Sequence, residues 1–289
     1  MAIQPKEFYL PFIKKEKVAK DTYSFYWDSA NIDLNFLPGQ YVRMTLNIKN
    51  RDNRGSSRFF TIASSPLEKE HIMITTKIVE NKTLPFRHSG KPVSRRAHPE
   101  SPTFRDAGQD GYQTVTRQAS MTAFGICSSF KKKLLGLKMG DMVKFFGPMG
   151  GFILNEEEKN PRVFLAGGIG ITPFHSMITY AYSKNLSIPI TLIVSFSSVE
   201  DLAFHEELSN IAKENSYIKT IYTITHPNVQ WKGETGRISE GLIKKYVQDI
   251  FKPQYFIVGP PAMVAAIEEV VRNMGAVNEK IFIENFTGY

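Results

Sequence analysis

The chain changes its hydrophobic rhythm near its midpoint. Over the first half, apolar and polar positions alternate in short runs rich in aromatic and β-branched residues, as in Phe8-Tyr-Leu-Pro-Phe-Ile13 and Thr22-Tyr-Ser-Phe-Tyr-Trp27. Such runs, broken by Pro, Gly, Asn and Asp, predict strands over residues 8–17, 22–27, 40–46, 58–63, 71–78 and 142–147. Short strands at this spacing point to an antiparallel barrel or sandwich. Helical periodicity surfaces there only around 129–137. The second half alternates apolar strands with helices: strands over 162–166, 190–195, 219–225, 255–258 and 280–283, helices over 172–184, 201–213, 239–246 and 261–274. That alternation implies right-handed crossovers and a parallel sheet covered on both faces. A Glu-rich link at 155–161 divides a β domain, residues 1–155, from an α/β domain, residues 156–289. Residues 81–123 fit neither rhythm. They are rich in Arg, Ser, Pro, Gly and His, and read as an insertion into the first domain, mobile in its middle, since structureless loops this long are uncommon in compact domains.

Composition narrows the classes. A chain of 289 residues suits two domains at ~150 residues each. With 42% apolar and 22% charged residues it is not globally disordered. The single cysteine, Cys127, excludes a disulfide framework, a four-cysteine zinc site and a plant-type iron–sulfur cluster within this chain. No metal site is expected. No uncharged apolar run reaches the ~18 residues of a membrane span, and the N-terminal stretch lacks an apolar signal core. The expectation is a soluble protein of a reducing compartment, the cytoplasm.

The net charge of +8 is unevenly placed. Residues 1–155 carry 24 Lys and Arg against 13 Asp and Glu; residues 156–289 carry 12 against 15. Two readings stay open: a solvated basic surface, or a half that meets something anionic, such as cofactor phosphates or an acidic protein. Within 81–117, seven basic residues face three acidic ones. That stretch is either a tolerated surface loop or one that docks a partner or covers a site. Nucleic acid is not an expected partner, because basic residues do not alternate with aromatics and no helix-turn-helix or zinc-finger spacing occurs.

Glycine-rich turns carry the clearest chemistry. In Val163-Phe-Leu-Ala-Gly-Gly-Ile-Gly-Ile-Thr-Pro173, Gly167, Gly168 and Gly170 fall where a strand becomes a helix. Glycine lets such a turn tighten and a phosphate approach the backbone, and the helix dipole favours a pyrophosphate there. Thr172 is expected to cap the helix and Pro173 to take its first position. The spacing is not G-x-G-x-x-G, and good turn chemistry alone would also explain it. A second strand-to-helix turn holds Gly259, Pro260, Pro261 and Met263; both turns lie at strand carboxyl ends, where open parallel sheets bind ligands. In the first half, Arg58-Phe-Phe-Thr61 and Gly125-Ile-Cys-Ser-Ser-Phe130 are weaker signals singly. Cys127 has no neighbouring His or Asp to activate it as a nucleophile.

Taken in order, Leu37-Pro-Gly-Gln-Tyr-Val42, Arg58-Phe-Phe-Thr61, Gly125-Ile-Cys-Ser-Ser-Phe130, Gly140-Asp141, Gly147-Pro-Met-Gly150, Gly167-Gly-Ile-Gly-Ile-Thr-Pro173, Gly259-Pro-Pro-Ala-Met263 and Glu284-Asn-Phe286 resemble the ferredoxin–NAD(P)⁺ reductase-type flavoproteins. The resemblance covers residues 5–289 apart from 81–123. It implies an antiparallel FAD-binding β-barrel followed by an open parallel-sheet nicotinamide-nucleotide domain. Arg58 then pairs with an FAD phosphate, with Phe59 beside it. Phe60 stands where the family has a Tyr stacked on the flavin, and Thr61 hydrogen-bonds near flavin N5. Gly125, Ile126, Cys127, Ser128 and Ser129 cradle the pyrophosphate. Gly167, Gly168, Gly170, Thr172 and Pro173, with Gly259, Pro260 and Met263, hold the nicotinamide nucleotide. Glu284 and Phe286 belong to a tail that reaches back toward the flavin. Thr61 and Glu284 are the residues expected to tune the flavin.

Two positions depart from the family pattern. Phe60 lacks the phenol hydroxyl, a loss of ~0.5–1.5 kcal/mol for one neutral hydrogen bond. Val258 stands where many members have a Cys beside the nicotinamide. The implied reaction is hydride transfer from NAD(P)H to FAD, then electron delivery to a separate acceptor, foremost an acidic ferredoxin-like protein. The alternatives are a stand-alone NADH-dependent reductase of flavin, ferric chelates or quinones, and a non-catalytic subunit of a larger complex. NADH is favoured over NADPH, because Ser195-Phe-Ser-Ser-Val-Glu200 contains no Arg to meet a 2′-phosphate.

Overall fold

The computed structural model describes residues 4–50, 52–78 and 128–286. The insertion expected at 81–123 lies outside them, as do Gly125, Ile126 and Cys127. The alternating first half folds as β1 (Lys6–Ala19), β2 (Thr22–Asp28), β3 (Tyr41–Thr45), β4 (Ser57–Thr61), β5 (His71–Lys77), helix α1 (Ser129–Leu135) and β6 (Met142–Met149). The six strands pair antiparallel in the order β4-β3-β6-β1-β2-β5. β1 is long enough to serve two partners: Lys6–Pro11 runs against β6 and Phe12–Ala19 against β2, with a register shift between Phe12 and Lys14 where it changes partner.

Period-2 alternation turns Phe8, Leu10 and Phe12 inward. Phe12 meets Trp27 edge-on at 5.7 Å, Trp27 meets Phe145 edge-on at 5.3 Å, and Phe8 stacks on Phe145 at 5.6 Å. Burying each such ring contributes roughly 1.5–3 kcal/mol. Past β4, the Ile62 N–H donates to the Gln40 carbonyl (3.0 Å) and the Ala63 N–H to the Met73 carbonyl (2.7 Å). The chain therefore leaves the β3 side and crosses to β5, which is why β4 stops at Thr61.

The second half comprises β7 (Arg162–Gly167), α2 (Thr172–Ser183), β8 (Ile190–Phe196), α3 (His205–Glu214), β9 (Ile218–Ile224), β10 (Glu234–Thr235), α4 (Glu240–Tyr246), β11 (Gln254–Gly259), α5 (Pro261–Asn273) and β12 (Ile281–Asn285). Its strands are all parallel, in the order β10-β9-β8-β7-β11-β12. β7 is buried throughout. Phe164 and Ala166 pack with Phe174, Met177 and Leu208 on one face, while Val163 and Leu165 pack with Ile243, Val264 and Ile267 on the other. Both faces are thus covered, as the apolar strands imply.

Two helix starts differ from the sequence expectation. A 3₁₀ turn, Gly168–Ile171, separates β7 from α2. Thr172 is then the first residue of the helix and not its cap: its hydroxyl donates back to the Ile169 carbonyl at 3.1 Å, and Pro173 follows one position inside. The helix expected from 201 begins at His205, because Val199–Asp201 forms its own 3₁₀ turn and Phe204 adopts a left-handed backbone at φ +59°. Among the described residues no helix is long and apolar enough to cross a membrane.

Candidate functional site

In β4, alternation sets Phe59 on one face, exposed and edge-on to Tyr41, and Arg58 and Phe60 on the other. Phe130 of α1 lies against that second face, 5.8 Å from the Phe60 ring and 5.1 Å from the Arg58 guanidinium. Arg58 Nη1 donates to the carbonyls of Arg54 (2.7 Å), Gly55 (3.3 Å) and Ser57 (2.7 Å). Its Nη2 stands 3.5 Å from Asp52 Oδ1 in ion-pair contact, yet is buried without a hydrogen-bond partner among the described residues. Asp52 itself is occupied by neighbours: its carboxylate accepts the N–H groups of Arg54 (3.0 Å) and Ser129 (3.1 Å), and its own N–H donates to Ser129 Oγ (3.1 Å). Desolvation pushes that carboxyl up, but these donors outweigh it and hold it below its usual range. Ser128 caps α1, its Oγ accepting the Lys131 N–H at 3.2 Å. Thr61, buried, ends the strand opposite Tyr41.

The glycines at the end of β7 have different reasons to be glycine. A Cβ on Gly170 would fall 2.7 Å from the Val258 carbonyl oxygen of β11, and one on Gly167 would fall 2.2 Å from Met263 Sδ in the first turn of α5. Gly170 is demanded by that backbone atom, whereas the flexible Met263 side chain beside Gly167 can shift; both contacts bring the two strand-to-helix turns together. Gly168 instead has φ +53°, and a Cβ there would meet nothing within 4 Å. The direction a side chain would take there is open.

At the C-terminal end, β12 runs parallel to β11 with Glu284 abreast of Val258, and the Phe286 N–H donates to the Gly259 carbonyl at 2.9 Å. Glu284 Oε2 is buried with no hydrogen-bond partner among the described residues. Burial pushes this carboxyl up to about 7.

The two halves are fastened next to these groups. His175 Nδ1 contacts the Ala63 carbonyl at 2.7 Å, and the Ser176 hydroxyl donates to the Ser64 carbonyl at 2.7 Å, so α2 grips the segment that leaves Thr61. Lys77 pairs with Asp201 at 2.8 Å, and the Lys20 N–H donates to the Glu200 carbonyl. Sequence reasoning names none of His175, Ser176, Asp52 or Lys77. Asp52 carries a weak local signal, an Asp two residues before Arg54 in a Gly-containing turn; the others are long-range partners that no local pattern marks. Among the described residues no cluster of His, Cys, Asp and Glu is placed to hold a metal ion.

Family comparison agrees with both sheets. The oxidoreductase FAD-binding domain matches residues 9–153, and the oxidoreductase NAD-binding domain matches residues 164–269. The chain belongs to this family of ferredoxin-reductase-type, FAD-containing NAD(P)H-dependent reductases. It is 30% identical over 173 residues to the F component of the Na(+)-translocating NADH-quinone reductase of Klebsiella pneumoniae, covering 57% of this chain and 41% of that protein. It is 23% identical over 278 residues to a flavohemoprotein of Oceanobacillus iheyensis, covering 95% of this chain and 57% of that one. The chain therefore spans about half the length of the curated relatives it matches. In fold it resembles the cytochrome b5 reductase domain of Ulva prolifera nitrate reductase, with a TM-score of 0.72, 19% identity, and 96% and 97% of the two chains covered.

Proposed function

We propose that this chain takes a hydride from NADH into bound FAD and passes the electrons to a separate acceptor, an acidic ferredoxin-like protein. The observation that carries the reading is Arg58. Three backbone carbonyls and the Phe130 ring fix its guanidinium, and its buried Nη2 has no hydrogen-bond partner among the described residues. A cation so held is preorganised for an anion such as an FAD phosphate. Glu284 Oε2 is a second buried polar group without such a partner there, and a Cβ on Gly168 would meet nothing within 4 Å; together these fit a flavin and a nicotinamide nucleotide.

FAD, when bound, supplies the hydride acceptor and the means to release electrons onward. The chain's own residues bind and orient. Arg58, with Ser128 and Ser129, would hold the phosphates, and Phe60 would present a ring face without a hydroxyl. Thr61 would hydrogen-bond at the edge of the flavin. Gly167, Gly168, Gly170, Thr172 and Pro173, with Gly259, Pro260 and Met263, would seat the nucleotide and exclude water. Glu284, with a carboxyl at about 7, holds or releases a proton near neutral pH. NADH is favoured because no Arg stands between 195 and 205 to meet a 2′-phosphate, while Glu200 and Asp201 place carboxylates there.

The acceptor reading rests on charge. Helix α1 carries Lys131, Lys132 and Lys133, and Lys15 of β1 reaches its end, Nζ donating to the Leu135 carbonyl. The likeness to one component of a quinone reductase favours a second reading, in which the chain hands electrons to a larger assembly. Steady-state oxidation of NADH against a panel of ferredoxins, quinones, ferric chelates and free flavin separates these. Turnover with ferredoxin foremost supports the first reading, and turnover with none of the panel supports the second.

A further inference from the structure

His175 is 3% exposed, two residues past Pro173 on α2. Its two ring nitrogens both face acceptors: Nδ1 lies 2.7 Å from the Ala63 carbonyl oxygen and Nε2 lies 2.9 Å from Glu207 Oε2 of α3. A carbonyl oxygen can only accept, so Nδ1 carries a hydrogen. An ionised carboxylate can also only accept, so the second bridge holds one further proton, on Nε2 or on Oε2. Burial pushes the Glu207 carboxyl up, but the hydrogen bond and charge of His175 outweigh it and hold it below its usual range. The Phe204 ring, set by its left-handed backbone, packs on the imidazole at 4.1 Å between centroids.

The contact joins two functional segments. Ala63 lies two residues beyond Thr61, and α2 begins at the glycine-rich turn. We propose that His175, bridging the Ala63 carbonyl and the Glu207 carboxyl, is a positioning residue that sets the alignment of the nicotinamide-nucleotide turn against the flavin-binding strand. The inference rests on the function proposed above. When either bridge is cut, α2 is released from the segment that follows Thr61, so hydride transfer slows while both cofactors stay bound. The other ionisable groups around the contact are Glu214 on α3, Glu68 before β5, His71 on β5 (3.3 Å from Glu68), Tyr182 on α2 and Tyr26 on β2, whose hydroxyl is pushed up first by burial and then by nearby carboxylates including Glu207. Among these, Glu207 is the one that hydrogen-bonds the ring.

Stopped-flow reduction of the FAD-loaded protein by NADH tests this, in the wild type, His175→Ala, Glu207→Ala and Glu207→Gln. His175→Ala lowers the limiting rate roughly ten- to a hundredfold, with little change in NADH dissociation constant or flavin content. Glu207→Ala lowers it too, while Glu207→Gln, whose amide can still meet Nε2 as donor or acceptor, keeps most of the wild-type rate. A His175→Ala or Glu207→Ala protein reduced as fast as the parent overturns the proposal. A second measurement needs neither turnover nor a folded alanine variant: ¹⁵N NMR of histidine-labelled protein. A hydrogen on Nδ1 of His175, as the Ala63 carbonyl requires, supports the clamp, and an Nδ1 without one overturns it. A wild type that NADH does not reduce at all contradicts the function proposed above, while the NMR result still judges the clamp.

Discussion

Gly168→Ala separates a nucleotide-binding turn from a merely tight one. At φ +53° an alanine pays the left-handed penalty of about 1–2 kcal/mol, and no contact adds to it because a Cβ there meets nothing within 4 Å. A cost of that size lowers the melting temperature by only about 2–8 °C in a domain of this scale. On the function proposed above, the same methyl would project into the space that a phosphate needs to reach the backbone N–H groups. Losing one hydrogen bond to a charged group costs roughly 1.5–3 kcal/mol, so NADH should bind about 10- to 150-fold more weakly. Gly170→Ala is the control. Its Cβ would press at 2.7 Å on the Val258 carbonyl oxygen, a backbone atom that cannot step aside cheaply. Overpacking of that kind costs about 1–3 kcal/mol of stability, with a smaller direct effect on the nucleotide. The assay is equilibrium titration with NADH beside a thermal melt of each variant. If Gly168→Ala binds NADH as tightly as the parent, the glycine serves the turn alone and the nucleotide assignment fails.

Other consequences are equally concrete. Arg58→Ala should weaken FAD binding about 10- to 150-fold, the worth of one charge-assisted contact, while the limiting rate of flavin reduction in FAD-saturated protein changes little; equal FAD affinity would remove Arg58 from the site. Glu284 has a folded-state carboxyl raised from 4.5 to about 7, so it favours folding when protonated and loses that contribution as pH rises through that window. In the flavin-free protein, Glu284→Gln should therefore melt higher than the wild type above pH 7, with the gap closing toward acid; parallel melting curves at every pH would contradict the buried carboxyl. Electron delivery to an acidic ferredoxin-like acceptor should slow as salt rises, since the screening length falls from roughly 10 Å at 0.1 M to roughly 3 Å at 1 M. NADH-driven flavin reduction should respond much less, and equal salt sensitivity of the two steps would argue against basic docking.

What the sequence makes legible is periodic or local. The strands of both sheets follow from period-2 runs and from apolar strands such as Val163-Phe-Leu-Ala166, and glycine marks the turn after β7. Helix starts are less legible. Thr172-Pro173 has the composition of a cap and first turn, yet the 3₁₀ turn at Gly168–Ile171 takes up the entry and places Thr172 inside. The difference between Gly168 and its neighbours depends on Val258 and Met263, some ninety residues away, and cannot be read locally. The same holds for Asp52 with Ser129, and for His175, whose partners Ala63 and Glu207 lie 112 and 32 residues from it. Pairings at such separations belong to the fold and not to any window of the chain.

The most direct test of the account is an anaerobic one. The purified protein is saturated with FAD, freed of excess, and titrated with NADH while the visible flavin absorbance is followed. One equivalent of FAD retained per chain, and bleached by about one equivalent of NADH, is the expected result for a two-electron hydride transfer. A protein that retains FMN in place of FAD, retains no flavin, or holds FAD that NADH leaves oxidised would contradict it.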